Sequence, residues 1–458
     1  MTTMTMLATP IAFRDYPHCC SVGTGNFTLS RGGEKAYLVA PKKIPPDSLR
    51  KLFREASRAD HSWSALTSQD SAASKKAINF VNSSHLSPNQ AHAHHIKHDL
   101  TYSHTTLQIK SYHDISTHLS KIDELTPFES AEIMQFLWRE KESLIEEAKT
   151  SAKCVRVKRT EFNLPRTLIV TSEGKIFVLL NRTKTCSDDM AGEGAFKKVK
   201  FCYEVTEGKP AVIGSSKDVI GLQEEAQILD EFKGVPGILQ LYAVDTYTSK
   251  SGEEKCAIIT EYCDGGDLFD GLDKIKREPK KIKTFLLALV NALLEVHKRG
   301  YIHRDMKPEN VLLKIIGGEL IPILADFGLS CRKDNHLKRS LGVGTPDYLH
   351  PKYAKALKEN PKHTPSLLIS AITTTTLDVW ALGLIFHLLT HKNANILFWM
   401  DPAKTNEQVI GELANVREGW VKEPSTKTSL DHLVWRMLQV DLNKIIPLQE
   451  VKSFLEAS

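Results

Sequence analysis

The stretch His303-Arg304-Asp305-Met306-Lys307-Pro308-Glu309-Asn310, followed by Val311-Leu312-Leu313 and then by Ala325-Asp326-Phe327-Gly328, narrows the folds open to this chain more than any other feature. Within 24 residues it brings Asp305, Asn310 and Asp326 together with Lys307. Asn310 and Asp326 are hard oxygen donors of the kind Mg²⁺ takes, and Lys307 sets a cation beside Asp305. The hydrophobic pattern on either side is of two types. Residues 166–180, RTLIVTSEGKIFVLL, alternate as strands with Glu173-Gly174 as the expected hairpin turn. After about Leu268 helical periodicity dominates, so the order implies a small β-rich lobe followed by a larger α-rich one, an α+β class.

At 458 residues the chain is too long for one ordinary domain, and 41% apolar residues can build a real core. A net charge of +5 is a weak excess for this size and makes no case for nucleic acid. No stretch reaches eighteen apolar residues, so no membrane span is expected. MTTMTMLATPIAF has no basic segment before its apolar run and is not read as a signal peptide. The eight cysteines, at 19, 20, 154, 186, 202, 256, 263 and 331, form no C-x-x-C pair. Reduced thiols and a cytoplasmic location are the expectation.

Residues 1–125 are rich in Ser, Thr and His and form a region of no assigned role, open to a regulator or partner protein. One helix is expected from Pro46 to about Ala56, with Leu49, Leu52 and Phe53 on one face. The histidines His85, His92, His94, His95, His98, His104, His113 and His118 read as a polar surface or partly disordered segment. His94 and His98 would share a helix face, but no Cys or carboxylate spacing completes a metal site. A helix then begins at Thr126-Pro127-Phe128-Glu129, a capping box with Pro at the first helical position. Residues 126–164 are read as this helix and a linker, and 165–458 as the main domain.

The motif around Asp305 resembles the catalytic loop HRDxKxxN of the eukaryotic-type protein kinases, and Asp326-Phe327-Gly328 resembles their metal loop. The resemblance covers roughly residues 165–458. It implies a bilobal kinase fold using ATP and Mg²⁺ to phosphorylate protein Ser or Thr. Asp305 would orient and deprotonate the substrate hydroxyl, Lys307 would steady the γ-phosphate, and Asn310 and Asp326 would hold the metal. Lys307 and Thr345 in Gly344-Thr345-Pro346 fit the Ser/Thr class, and Asp378 in DVWALG would brace the catalytic-loop backbone.

The nucleotide side departs from the family. Gly192-Glu193-Gly194-Ala195-Phe196-Lys197-Lys198-Val199 resembles the glycine-rich loop, with Lys197 in place of the third glycine. Fifteen residues after Val199, where a phosphate-binding lysine is expected, stands Gly214. Two readings follow: a nucleotide-binding pseudokinase acting as a scaffold, or a lysine relocated to Lys197, as in the with-no-lysine kinases, whose G-x-G-x-F-K-x-V pattern this loop matches. Lys209 and Lys217 are lesser candidates. Glu225 would pair with that lysine, the Glu261 and Cys263 backbones would reach adenine, and Asp267 would approach the ribose.

Further on, the family's A-P-E is His350-Pro351-Lys352, and its partner arginine is Ile445, so both halves of a buried ion pair are absent together. Arg304 suggests control by phosphorylation, with Ser340 the first candidate and Ser330 the second. The stretch between Lys352 and Asp378 is longer than the family allows, which implies a docking surface or a neutral insertion. These departures would suit a fast-evolving kinase such as a bacterial effector delivered into host cytoplasm.

Overall fold

Thr126 starts the first long helix for a local reason. Its hydroxyl accepts the Glu129 N–H, the Glu129 carboxylate accepts the Thr126 N–H at 3.0 Å, and Pro127 fills the first turn, as the sequence indicates. The computed structural model describes residues 18–21, 26–31 and 34–39 and, from 112 onward, all but 159–163, 185–198, 250, 277, 361–364, 392–402 and 458. The helix expected at Pro46–Ala56 and the histidines from His85 to His104 lie outside the described residues. Two compact units emerge: residues 1–217 with 243–259, and residues 218–242 with 260–458.

In the first unit, β1 (His18–Ser21), β2 (Asn26–Arg31) and β3 (Glu34–Val39) form an antiparallel sheet with Thr28 opposite both Cys20 and Tyr37. Residues 112–119 are helical, with His113 on the exposed polar side. In this helix, α1 (Tyr112–Leu119), Ile115 and Leu119 lie four apart and are both buried. They share a core with Ile133, Leu137 and Leu144 of α2 (Pro127–Ser151), and Ile122 and Leu125 continue it, so apolar packing runs across position 125.

The same core takes Leu168 and Val170 of β5 (Leu168–Val170), which follows β4 (Val155–Val157), and Ile176 and Val178 of β6 (Ile176–Lys184). Each such side chain contributes about 1.5–3 kcal/mol by leaving water. The helix and sheet are also pinned by a buried ion pair: Arg166 Nε meets Glu129 Oε1 at 3.0 Å and its Nη2 meets the Glu124 carbonyl at 2.6 Å. Gly174, at φ +85°, makes the expected turn between β5 and β6. The strands β7 (Val199–Glu204) and β8 (Lys209–Ser216) follow; after α3 (Val219–Glu231), which belongs to the second unit, come β9 (Leu241–Thr248) and β10 (Glu254–Glu261). Seven strands run in the order β4-β5-β6-β7-β8-β10-β9.

The second unit is mostly helical. After β11 (Gly266–Asp267) come α4 (Leu268–Lys276), α5 (Pro279–Lys298), β12 (Tyr301–Ile302), β13 (Val311–Ile316), β14 (Glu319–Leu324), β15 (Cys331–Arg332) and α6 (His336–Arg339). The chain ends in α7 (Pro351–Glu359), α8 (Leu367–Ile372), α9 (Thr375–Thr390), α10 (Asn406–Leu413), α11 (Leu430–Met437) and α12 (Leu448–Ala457). α9 is apolar nearly all round, with Trp380, Leu382, Leu384, Ile385 and Phe386 fully buried, which makes it the centre of this unit. β13 and β14 pair as a hairpin with Val311 opposite Leu324, so Asn310 and Ala325 meet at one end and the Ala325 N–H donates to the Asn310 carbonyl at 2.9 Å. That register brings the two motifs of the sequence to one place.

Candidate active site

Asp378 organises the loop that carries Asp305. Its carboxylate accepts the backbone N–H groups of His303 and Arg304, both at 2.8 Å, and lies 2.8 Å from His297 Nε2. Burial alone would raise its pKa, but the His297 contact and the two N–H donors hold it below the usual range, so it stays ionised. Arg304 is thereby kept at φ +68°, a conformation costly for a non-glycine residue and tolerated because Asp378 over-determines it. His297 has no motif of its own, and sequence reading missed it.

Asp305, 7% exposed, is gripped from three sides. Thr345 donates its N–H (3.0 Å) and hydroxyl (2.7 Å) to Oδ1, while Asn310 Nδ2 (2.9 Å) and Lys307 Nζ (3.2 Å) reach Oδ2. Lys307 also donates to Thr345 Oγ1 at 2.9 Å. Burial is the largest single influence on this carboxyl and pushes its pKa up. The Lys307 charge and the Thr345 hydroxyl outweigh it, and the net shift is downward. Asn310 also donates to the Asp305 carbonyl at 2.8 Å. With both amide bonds directed to Asp305, its Oδ1 faces the other way.

Asp326 sits at φ +58° with its Oδ1 taking the Gly328 N–H at 3.3 Å. The His303 ring packs edge-on to Phe327, centroids 5.0 Å apart, and Phe327 stands 5.6 Å from Phe232 at the end of α3. Glu225 of α3 is buried and accepts the Phe327 N–H; burial, and then the charge of Asp326, hold its carboxyl well above the usual range. A methyl placed on Gly328 would fall 3.3 Å from Asp326 Oδ1 and 3.7 Å from Glu225 Oε2. The structure therefore brings Asp305, Lys307, Asn310, Asp326 and Glu225 into one neighbourhood. Among the described residues no three His, Cys, Asp or Glu side chains are arranged to enclose a metal by themselves. Asn310 and Asp326 nevertheless fit Mg²⁺, which commonly takes one or two protein oxygens and completes its shell with phosphates and water.

Glu261 is the last residue of β10, and Cys263 stands two residues beyond it. The Glu261 N–H donates to the Gln240 carbonyl at 2.9 Å, and its carboxylate accepts the Gln240 N–H and pairs with Lys314. Cys263 is buried, and burial followed by the Glu261 charge pushes its thiol up to about 12, so it is unreactive. Asp267 Oδ1 accepts the Asp270 N–H at 2.9 Å. Gly192, Gly194 and Lys197 lie outside the described residues. Gly214 is buried on β8 directly opposite Val199 of β7, the residue that closes the glycine-rich stretch.

Two features of the later segment bear on the expectations for it. Ser340, 6% exposed, turns its hydroxyl to the Leu337 carbonyl at 2.6 Å, and buried Ser330 donates to the His303 carbonyl at 3.2 Å. Neither hydroxyl faces a modifying enzyme in this conformation. Where the family's buried ion pair is absent, Lys352 finds another partner. Its ammonium lies 3.6 Å from Asp441, so an exposed pair of opposite polarity occupies the area, while Ile445 is buried. Beside it His350 caps α7, its Nδ1 accepting the Lys352 N–H at 3.1 Å and its ring lying against Trp380.

The protein kinase domain family matches residues 187–453. Relatives include myosin light chain kinase 3 of Homo sapiens, 28% identical over 45% of this chain and 23% of its own length. CBL-interacting serine/threonine-protein kinase 3 of Arabidopsis thaliana is 31% identical over 43% of each chain, and the Aurora kinase of Eremothecium gossypii 26% identical over 57% of this chain and 65% of its own. The chain thus spans less than two thirds of each of these relatives.

Proposed function

This chain belongs to the protein kinase domain family, and from that premise we propose that it transfers the γ-phosphoryl group of ATP to serine or threonine hydroxyls of protein substrates. The observation that carries the reading is the grip on Asp305, a carboxylate kept ionised and fixed in direction by Thr345, Asn310 and Lys307. The substrate oxygen bonds to the γ-phosphorus, its proton passes to Asp305, and the bond to the β,γ-bridging oxygen breaks to leave ADP. Lys307 offsets charge on the moving phosphoryl group. Such catalysis is positioning and electrostatics, and removal of the proton acceptor costs about 10²–10⁴-fold. Asn310 and Asp326 would hold Mg²⁺, whose charge would neutralise the phosphates.

On the nucleotide side, Glu261 and Cys263 would meet adenine through their backbones, Asp267 the ribose, and Gly192 and Gly194 the phosphates. Lys197 would replace the lysine missing at Gly214. The pairing of Val199 with Gly214 supports this alignment, because it sets the gap in β8 against the strand entered two residues after Lys197. A cytoplasmic location, where ATP is at hand, and partner binding by the N-terminal region within residues 1–125 complete the proposal. Phosphoryl transfer from labelled ATP to a generic basic protein tests the reading. Label is expected from the wild type and absent from Asp305→Ala and Lys197→Met; a silent wild type favours a scaffold, and an active Lys197→Met removes the relocated lysine.

A further inference from the structure

The segment that carries Thr345 is held by two arginines whose guanidinium groups bond to main-chain carbonyls. Arg304 Nε donates to the Leu329 carbonyl and its Nη1 to the Lys338 carbonyl, both at 2.6 Å. Arg339 donates through Nη2 to Ser370 (2.6 Å), through Nε to Thr373 (3.0 Å) and through Nη1 to Lys333 (2.8 Å). Ser370 lies in α8 and Thr373 caps its C-terminal end, within the stretch that is longer than the family allows. The end of a helix collects carbonyl oxygens that have no partner inside the helix, and a guanidinium satisfies them while its charge complements their partial negative charge.

Other bonds continue this hold in both directions. The Ser366 N–H, at the start of α8, donates to the Ser340 carbonyl at 3.1 Å. Tyr353 takes the Val343 N–H at 3.1 Å and donates to the Leu341 carbonyl at 3.3 Å. Two residues on, Thr345 grips Asp305. Backwards, Lys338 reaches Glu224 on α3 at 2.5 Å, next to Glu225. A path of hydrogen bonds therefore runs from α8 through residues 338–345 to the carboxylate at the centre of the site, and every link in it is made by the chain's own groups.

We propose that α8 and Arg339 form a built-in clamp that sets this segment in its working conformation, so that transfer needs no phosphate on residues 327–349. Arg339 is a positioning residue, acting through the segment on Thr345 and Asp305. The proposal rests on the kinase reading above for its catalytic consequence, while the clamp itself is testable without turnover. Arg304 and Arg339, the cations a phosphate would recruit, are already engaged by carbonyls, and Ser340 and Ser330 are buried.

The test uses the full chain co-expressed with a phosphatase and shown by mass spectrometry to carry no phosphate. Its kcat is expected within about twofold of enzyme allowed to phosphorylate itself, and Arg339→Ala is expected to lose roughly tenfold or more in kcat with KM for ATP unchanged, Arg339→Lys recovering part of it. A phosphate-free wild type that is inactive but gains activity once phosphorylated overturns the clamp. Hydrogen exchange of residues 331–345 in the same phosphate-free wild type decides the matter independently of activity. Slow exchange supports the clamp even if no substrate is ever phosphorylated, in which case only the kinase reading fails; fast exchange ends the clamp, whatever the turnover.

Discussion

Asp305 shows how much of a buried carboxylate's behaviour is set by its neighbours. Its buried carboxyl would titrate high if desolvation acted alone, and instead Lys307 and the Thr345 hydroxyl pull it low. Because the folded-state value lies below the unfolded one, ionised Asp305 adds stability above about pH 4, and that contribution disappears only as pH falls through the lowered value. The Thr345 hydroxyl links both charged partners, accepting from Lys307 and donating to Asp305. Thr345→Ala is therefore expected to lower kcat about 10–100-fold with KM for ATP little changed, and Thr345→Ser to restore most of it. Steady-state kinetics of the two variants check this, and an Ala variant as fast as the wild type would remove Thr345 from the mechanism.

Elements carry two further expectations. Leu119 of α1 is 1% exposed in the core it shares with α2, β5 and β6, so Leu119→Ala should cost about 2–5 kcal/mol in the unfolding of that unit. Urea denaturation measures it, and a change under 1 kcal/mol would mean that α1 is not part of the core. At α7, burial holds the His350 imidazole down to about 4. Below pH 6.5 the unfolded chain takes up a proton that the folded chain refuses, so stability falls as pH drops toward 4, by about 2 kcal/mol at pH 5. His350→Asn keeps a capping acceptor without the titration, and its stability should be flatter over this range. Equal slopes for the two proteins would rule His350 out as the source.

These elements also mark where the sequence could be read. The capping box at Thr126 and the Gly174 turn are local events, complete within four residues, and both were legible. α1 was not, because an eight-residue helix offers only Ile115 and Leu119 as its pattern amid polar residues. The α8 carbonyls on Arg339 and the Lys352–Asp441 pair join residues 31 to 89 positions apart in ways no motif records; the same holds for His350 and Gln439. The His303–Asn310 and Asp326–Gly328 motifs were legible as sequence, and a hairpin of fixed register, Val311 opposite Leu324, returns them to one place.

At the scale of the whole molecule, the proposed binding of metal and nucleotide becomes a stability question. A ligand that binds only the folded chain stabilises it by RT ln(1 + [L]/Kd), about 2.7 kcal/mol at a hundredfold excess over Kd. Asn310 and Asp326 supply too few donors to retain Mg²⁺ firmly alone, since the rest of its shell must come from phosphates and water. Metal and nucleotide should therefore bind as a unit. Thermal unfolding is expected to shift upward with ATP and Mg²⁺ together and far less with either alone. Asp326→Asn should lose the Mg²⁺-dependent part of the shift and keep whatever the nucleotide gives in the presence of EDTA. Should ATP give the same shift with EDTA as with Mg²⁺, these two side chains do not hold the ion, and charge neutralisation would rest on Lys307 and the loop lysine.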